Sequence, residues 1–137
     1  MSHLVLLDNE AVQALSGPAH AKHRRVLAHI DVVAGRKMRG RVVSLAVPTA
    51  VRVEAGWDRT DRHWAFANRL GLSDLPLGRS AADRAAGIRV ALGVSVADAH
   101  LGAAIEGAAE DRITVLSSDP VDMQRMCGTK NAVVVTV

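Results

Sequence analysis

Residues 4–8 read Leu-Val-Leu-Leu-Asp, four apolar residues in a row with a carboxylate directly after them. A continuous apolar run is typical of a strand that is buried on both faces of a parallel sheet. A similar run, Ile113 to Leu116, is followed after two serines by Asp119. Because parallel strands need crossover connections, which are usually helical, the sequence predicts an α/β fold.

The rest of the chain alternates between strand-like and helix-like segments, without a linker or an internal repeat. Two stretches, Ser80–Asp83 and Ser95–Asp98, have the spacing of a capping box at the start of a helix. We expect one domain, residues 1–137, in which helices cover both faces of a central parallel sheet of four or five strands. The predicted strands are 3–7, 42–46, 73–77, 113–116 and 132–137, and the predicted helices are 9–16, 19–37, 48–58, 61–70, 80–92, 95–109 and 120–126.

The composition of the chain is that of a globular protein. Its 137 residues are 49% hydrophobic and 23% charged, which is enough to bury a core. The single cysteine, Cys127, excludes an intrachain disulfide and a thiolate zinc cage, and is expected in the core. No apolar run approaches the roughly 20 residues of a membrane helix, and the first residues do not resemble a signal peptide. A cytoplasmic protein without a membrane segment is therefore predicted.

Positive charge is concentrated in residues 22–41, which carry a net charge of +6, whereas the rest of the chain carries −3. Such a segment suits a surface that binds phosphates or an acidic partner, and a solvated helix face gives the same pattern. Its basic residues are Lys22, Arg24, Arg25, Arg36, Lys37, Arg39 and Arg41.

Aromatic residues are scarce, since Trp57, Trp64 and Phe66 are the only three. This argues against folds that stack bases on aromatic side chains, so contacts with nucleic acid are expected to involve phosphates. We expect the three aromatic side chains in the core, and an exposed anchor for a partner is the alternative.

Five carboxylates stand where ligands bind in open parallel sheets, near the carboxyl ends of strands. Asp8 follows the first strand and Asp119 the fourth, with Asp122 one helical turn later. Asp98 lies in the first turn of its helix, and Glu54 lies further along the helix that follows the second strand. Each also has a purely structural explanation, because acids at helix starts cap free N–H groups and Glu54 could face solvent.

Four segments in this order resemble the PIN-domain nucleases, most closely their VapC-type toxin members, over nearly the whole chain. They are LVLLDNEAVQAL, VPTAVRVEAGW, VSVADAHLGAAI and VLSSDPVDMQRM. The resemblance implies an acidic cluster of Asp8, Glu54, Asp98 and Asp119, with Asp122 as an additional acid. Glu10 stands where members often have Ser, Thr or Asn, so Asn9 is expected to supply that polar contact. Glu10 itself would be either an outer acid of the site or a solvent-facing residue.

The activity that the resemblance implies is metal-dependent endoribonuclease cleavage, by the toxin of a type II toxin–antitoxin system. Asp8, Glu54, Asp98 and Asp119 would be the catalytic acids. Asp8, Asp98, Asp119 and Asp122 would be the ligands of Mg²⁺ or Mn²⁺, hard cations that prefer oxygen donors. A cognate antitoxin, an RNA substrate and a homodimer are the implied partners. The residues expected to position RNA are Ser117, which matches a small hydroxyl residue of the family, Asn9, Lys22, Arg24 and Arg25.

Two other functions compete with this hypothesis. A module that binds RNA or protein without catalysis would keep the basic segment but would not need the acids to come together. A receiver-like regulatory domain also binds Mg²⁺ at strand ends, but it normally needs a lysine after a late strand. Here Lys130, the only lysine in the last hundred residues, precedes the final strand, and the N-terminal acids are not an adjacent Asp pair.

Overall fold

A computed structural model of the chain describes residues 2–128, 130 and 132–137, with the side chains of Lys37 and Met38 outside the described part. Its sheet has five parallel strands in the order β3-β2-β1-β4-β5. This confirms the predicted fold class. The strands are β1 (Ser2–Leu7), β2 (Val42–Pro48), β3 (Ser73–Leu75), β4 (Arg112–Ser117) and β5 (Ala132–Thr136).

Helices make every crossover between the strands. At the end of the fifth helix, Gly93 adopts a left-handed conformation with φ of 67°, which glycine tolerates without a steric penalty. This turn lets the next helix start after a sharp bend. The helices are α1 (Asn9–Ala14), α2 (His23–Met38), α3 (Thr49–Ala55), α4 (Ala65–Asn68), α5 (Arg79–Leu92), α6 (Val96–Gly107) and α7 (Pro120–Cys127), and a 3₁₀ turn (Arg62–Trp64) precedes α4.

The central strand β1 is buried on both faces, which explains its apolar run. Its alternate side chains enter two different cores. One core, which includes Val5 and Leu7, also contains residues of α1, α2 and α3, and the other, which includes Leu4 and Leu6, contains residues of α5, α6 and α7. Trp57 and Trp64 belong to the first core and Cys127 to the second, so their predicted burial is confirmed. Phe66, the third aromatic residue expected in the core, is only half-buried, and its ring centroid lies 5.2 Å from that of His23.

The predicted continuous helix over residues 61–70 is wrong. The segment forms the 3₁₀ turn and the single turn of α4 instead. Side-chain hydrogen bonds compete with a regular helix here. Asp61 accepts a bond from the backbone N–H of His63, and the Asn68 amide both donates to the Arg59 carbonyl and accepts from the Trp57 indole.

Three helix starts also differ from the prediction. Helix α2 begins at His23, because the preceding residues form turns in which the His20 ring accepts a bond from the backbone N–H of Lys22. Pro48 ends β2 rather than lying within the first turn of α3. Helix α5 begins at Arg79, so the capping box predicted at Ser80 does not exist. The remaining elements lie within three residues of their predicted bounds.

Within the described part of the chain, no single helix is long and apolar enough to cross a membrane, and α5 and α6 pass that test only as a pair, across a bend of 118°.

Candidate acidic active site

Asp8 is held at the carboxyl edge of the sheet by its backbone and by both oxygens of its side chain. Its backbone N–H donates to the carbonyl of Leu116 on the neighbouring strand β4. Its Oδ1 accepts from the N–H of Ala11 at 2.9 Å, and its Oδ2 accepts from the N–H of Ser118 at 3.1 Å. The carboxylate is 6% exposed. Asp8 therefore caps α1, as its structural explanation predicts, and also fixes the loop between β4 and α7.

Asp98 is half-buried in the first turn of α6, where Ser95 is the N-cap residue, as its spacing from Asp98 predicts. Ser95 Oγ accepts a hydrogen bond from the Asp98 N–H at 3.1 Å. The pKa of Asp98 is raised, first by burial and then by the negative charges of Glu54 and Asp8, with a smaller contribution from Asp122. The Ser95 hydroxyl opposes this by stabilising the ionised form. Four separate segments thus bring carboxylates into one electrostatic environment around Asp98.

Glu54 on α3 and Asp122 on α7 also contribute negative charge near Asp98. Glu54 is exposed in the last turn of α3, and Asp122 is half-buried in the first turn of α7. Arg125, one turn further along α7, lies 3.3 Å from Asp122 Oδ1 and pairs with it. Glu54 has no such partner among the described residues, so its carboxylate is available to solvent and ligands.

Asp119 is placed differently from Asp98 and the three acids around it. Its side chain is exposed and caps α7, with Oδ1 accepting from the N–H of Asp122 at 3.3 Å. Ser117 is fully buried, and its Oγ accepts from the N–H of Asp119 at 2.9 Å. Asp119 is not among the charges that raise the pKa of Asp98. Ser117 therefore shapes the loop that carries Asp119, and the catalytic role of Asp119 stays a prediction.

Asn9 and Glu10, which follow Asp8 in the sequence, each contact side chains further along the chain. Asn9 Oδ1 accepts a bond from the side-chain amide of Gln13 along α1. Glu10 Oε1 lies 3.3 Å from Nε2 of His20 and 3.9 Å from Nζ of Lys22, two residues that precede α2. Glu10 is thus an ion-pair residue at the entrance to α2, and Lys22 lies beside the acidic edge with part of its charge compensated.

Arg24 and Arg25 extend the positive charge from Lys22 into the first turn of α2. Both are exposed. They closely follow Lys22, whose amine lies 3.9 Å from Glu10. They therefore lie at the end of α2 that is nearer to the acidic edge. Their placement suits contacts with a phosphate backbone.

The chemistry of the donors fits a hydrated divalent cation better than a closed metal cage. Among the described residues, no group of three or more His, Cys, Asp or Glu side chains is placed to hold a metal ion. Mg²⁺ usually takes one or two carboxylates directly and keeps several waters, through which further carboxylates can act. A cation at this edge would also relieve the repulsion that raises the pKa of Asp98. Carboxylate oxygens are the donor type that Mg²⁺ and Mn²⁺ prefer, and waters would have to complete the coordination of a cation here.

An apolar cavity of about 390 Å³ opens beside Glu54, and sequence analysis missed it. Its walls include Thr49, Val53, Leu77 and Val96, which come from α3, α6 and the loop after β3. Val53 is 82% exposed and Val96 48% exposed. The adjacency of Val53 and Glu54 is the sequence signal that an apolar surface borders the acids, but the spacing of residues does not predict the cavity.

His100 ties the elements that carry Asp98 and Glu54 to each other. It is fully buried on α6, and its Nδ1 accepts from the N–H of Ala50 in α3 at 3.2 Å. Burial lowers the pKa of His100, and a hydrogen bond with the backbone of Pro76 opposes this effect. A neutral ring that accepts at Nδ1 and donates at the other nitrogen satisfies both contacts. His100 is therefore a positioning residue rather than a metal ligand.

No protein-family model and no curated protein matches the sequence. Among solved structures, the chain is similar to a chain in a crystal structure of VapBC2 from Rickettsia felis. In that structure VapBC2 is bound to a DNA fragment from its promoter. The TM-score is 0.61 at 12% sequence identity, and the match covers 98% of each chain. At this identity the likeness concerns the fold. It confirms the PIN-like α/β fold that the resemblance to VapC-type proteins implies.

Proposed function

We propose that this protein is a metal-dependent endoribonuclease whose active site comprises Asp8, Glu54, Asp98 and Asp122. One observation carries the proposal: four segments place Asp8, Glu54, Asp98 and Asp122 at the carboxyl edge of the parallel sheet, where the other three acids raise the pKa of the half-buried Asp98. Capping explains Asp8 singly, but it does not explain why acids from four segments surround one another. Such repulsion destabilises the fold, and perturbed carboxylates of this kind cluster at functional sites.

The residues have distinct chemical uses in this proposal. Asp8, fixed by two backbone N–H groups, is a rigid carboxylate that a cation and its waters can bind. Glu54 is exposed and unpaired among the described residues, so it is able to orient a water or accept its proton. When bound, the divalent cation would lower the pKa of the attacking water and neutralise charge on the phosphodiester. Asp119 joins the set if a ligand draws it from its capping position.

The finer part of the proposal is that the enzyme is the toxin of a toxin–antitoxin pair, with a cognate antitoxin and a second copy of itself as partners. The fold likeness to the chain of VapBC2 supports the class. The exposed Val53 and Val96 beside Glu54 support a protein partner, because apolar groups at the rim of a charged site are commonly covered in a complex. RNA is the proposed substrate and the cytoplasm the proposed compartment.

The test is cleavage of total cellular RNA by the purified protein with Mn²⁺ or Mg²⁺. Asp98→Asn keeps the size of the side chain and removes its charge, so we expect cleavage to fall by about 100-fold or more. A chelator should have the same effect. The matched control is Glu106→Gln, which removes an exposed charge near the opposite end of the same helix.

Cleavage that survives both the chelator and Asp98→Asn would contradict the proposed site. If the wild-type protein binds RNA with either ion but never cuts it, the binding module without catalysis replaces the enzyme.

A further inference from the structure

A second cavity of about 390 Å³ lies at the opposite edge of the sheet, where β1, β2 and β4 begin. Three arginines line it: Arg36 from α2, Arg41 just before β2 and Arg112 at the start of β4. His3 of β1 lies between them. No carboxylate is among the described residues that line this cavity. We call it the arginine cavity.

The strand register brings these side chains together. His3 pairs with Arg112, and Ser2 pairs with Val42, the residue after Arg41. Arg36 reaches back from the end of α2, so that its Nη1 lies 3.4 Å from His3 Nδ1. The cavity is therefore built by the first residues of β1, β2 and β4 together with the end of α2 and the turn that follows it.

The ion pairs that the structure gives for the described residues leave out the three arginines of the cavity, Arg36, Arg41 and Arg112. The nearest acid in sequence, Asp111, bonds to the backbone N–H and the hydroxyl of Ser2. The pKa of His3 is lowered, by burial first and then by Arg112 and Arg36, as expected in a positive field. An anion is the ligand that this field favours.

A smaller cavity of about 220 Å³ adjoins the first and shares His3, Arg36 and Arg112 with it. Its other walls are largely apolar and include Val32 and Val133, which are 54% and 51% exposed. A cationic cavity beside an apolar one fits a nucleotide, whose phosphate and base have these two characters. An acidic peptide would have to supply these two characters from separate side chains, whereas one nucleotide carries both.

We propose that the arginine cavity binds a backbone phosphate of the RNA, at the opposite edge of the sheet from the acidic site. Guanidinium groups are suited to this role because they bind phosphate oxygens through two parallel hydrogen bonds. A six-residue strand such as β1 spans about 20 Å, which sets the distance between the two edges. The proposal rests on the proposed function in naming RNA as the ligand.

Helix α2 supplies the route between the two edges. Its first turn carries Arg24 and Arg25 near Lys22, which contacts Glu10 beside the acidic edge. Its last turns carry Arg36 into the arginine cavity. An RNA strand that lies along α2 therefore meets positive charge at both ends. The phosphate contact in the arginine cavity would fix the position of the RNA strand relative to the acidic site without reading its bases.

The test measures binding of a fluorescently labelled 12-nucleotide RNA by anisotropy at several salt concentrations, with a chelator present so that no cleavage occurs. The double variant Arg41→Gln, Arg112→Gln should bind about tenfold more weakly than the wild type at low salt. The slope of the logarithm of its RNA affinity against the logarithm of the salt concentration should be shallower by about 0.7 for each lost phosphate contact. The control is Arg62→Gln, Arg69→Gln, which removes two exposed arginines outside the cavity.

A second measurement uses the unmodified protein and inorganic phosphate. Phosphate in the arginine cavity would offset the field of Arg36 and Arg112, so the pKa of His3, followed by NMR, should rise. An unchanged His3 titration, or equal RNA affinity in the two double variants, would overturn the proposal. If the cavity variant loses affinity for a 12-residue polyglutamate but not for RNA, the cavity serves an acidic protein and the proposal is wrong.

The outcomes separate this inference from the proposed function. If the wild type cuts RNA while the cavity variant binds the 12-nucleotide RNA as tightly as the control does, the nuclease stands and the inference fails. If the wild type never cuts RNA but the cavity variant loses binding, the inference stands and the nuclease fails.

Discussion

Asp98 is the residue at which stability and the proposed function oppose each other. It is half-buried, and its charge is repelled by Glu54, Asp8 and Asp122. Because its pKa lies above the ordinary value of 3.8, folding favours the protonated form. A bound cation would instead favour the ionised carboxylate. A residue selected for stability alone would not be charged here.

We predict that Asp98→Asn stabilises the protein at pH 7 when divalent cations are removed. The raised pKa means that stability is lost as pH rises from 3.8 through the folded-state value, and the variant avoids this loss. The measurement is the midpoint of urea unfolding in a chelator, for the wild type and for Asp98→Asn. Below pH 3.8 the difference should shrink. A variant that unfolds at the same or a lower urea concentration at pH 7 would refute the repulsion.

At the scale of elements, Asp74 of β3 joins the segments on either side of α4. Its two oxygens lie 2.9 Å from Arg52 on α3 and 2.9 Å from Arg59 in the following loop. Both guanidinium groups lie over the Trp57 ring, at 5.4 Å for Arg52 and 4.5 Å for Arg59. This clamp fixes the loop after α3 and, with it, the end of the helix that carries Glu54.

We predict that Asp74→Asn lowers the free energy of unfolding by about 1 kcal/mol, because both ion pairs are partly exposed and screened by solvent. Chemical unfolding followed by tryptophan fluorescence measures the change, since Trp57 lies under both arginines. Asp31→Asn on α2 is the control, because Asp31 is exposed and has no ion pair among the described residues. If the two variants unfold alike, the clamp contributes nothing.

Elements that depend on burial were predictable from the sequence, and elements that depend on side-chain hydrogen bonds were not. The apolar run of β1 requires a strand that is buried on both faces, and this is where β1 lies. The segment 61–70 contains helix-forming residues, but Asn68 bonds to Trp57 and Arg59 and breaks the helix. Those partners come from a preceding loop whose path cannot be inferred from local propensity.

For the whole molecule, topology made the acidic edge predictable. Parallel strands place their carboxyl ends together, so Asp8 and the acids of α3, α6 and α7 fall at one edge. Asp119 caps α7, as its structural explanation predicts. Capping and ligation use the same residue type at the same position, so the sequence alone did not distinguish between these two uses. The arginine cavity was also missed, since Arg36, Arg41 and Arg112 meet only through the register of three strands.

The most direct test of the central claim is Mn²⁺ binding to the purified protein, followed by electron paramagnetic resonance without RNA. If Asp8, Glu54, Asp98 and Asp122 form one cation site, the wild type binds Mn²⁺, and Asp98→Asn weakens binding by about tenfold or more. Glu106→Gln, at the far end of α6, should bind as the wild type does. Mn²⁺ affinity that is absent from the wild type, or equal in the wild type and Asp98→Asn, would contradict the account.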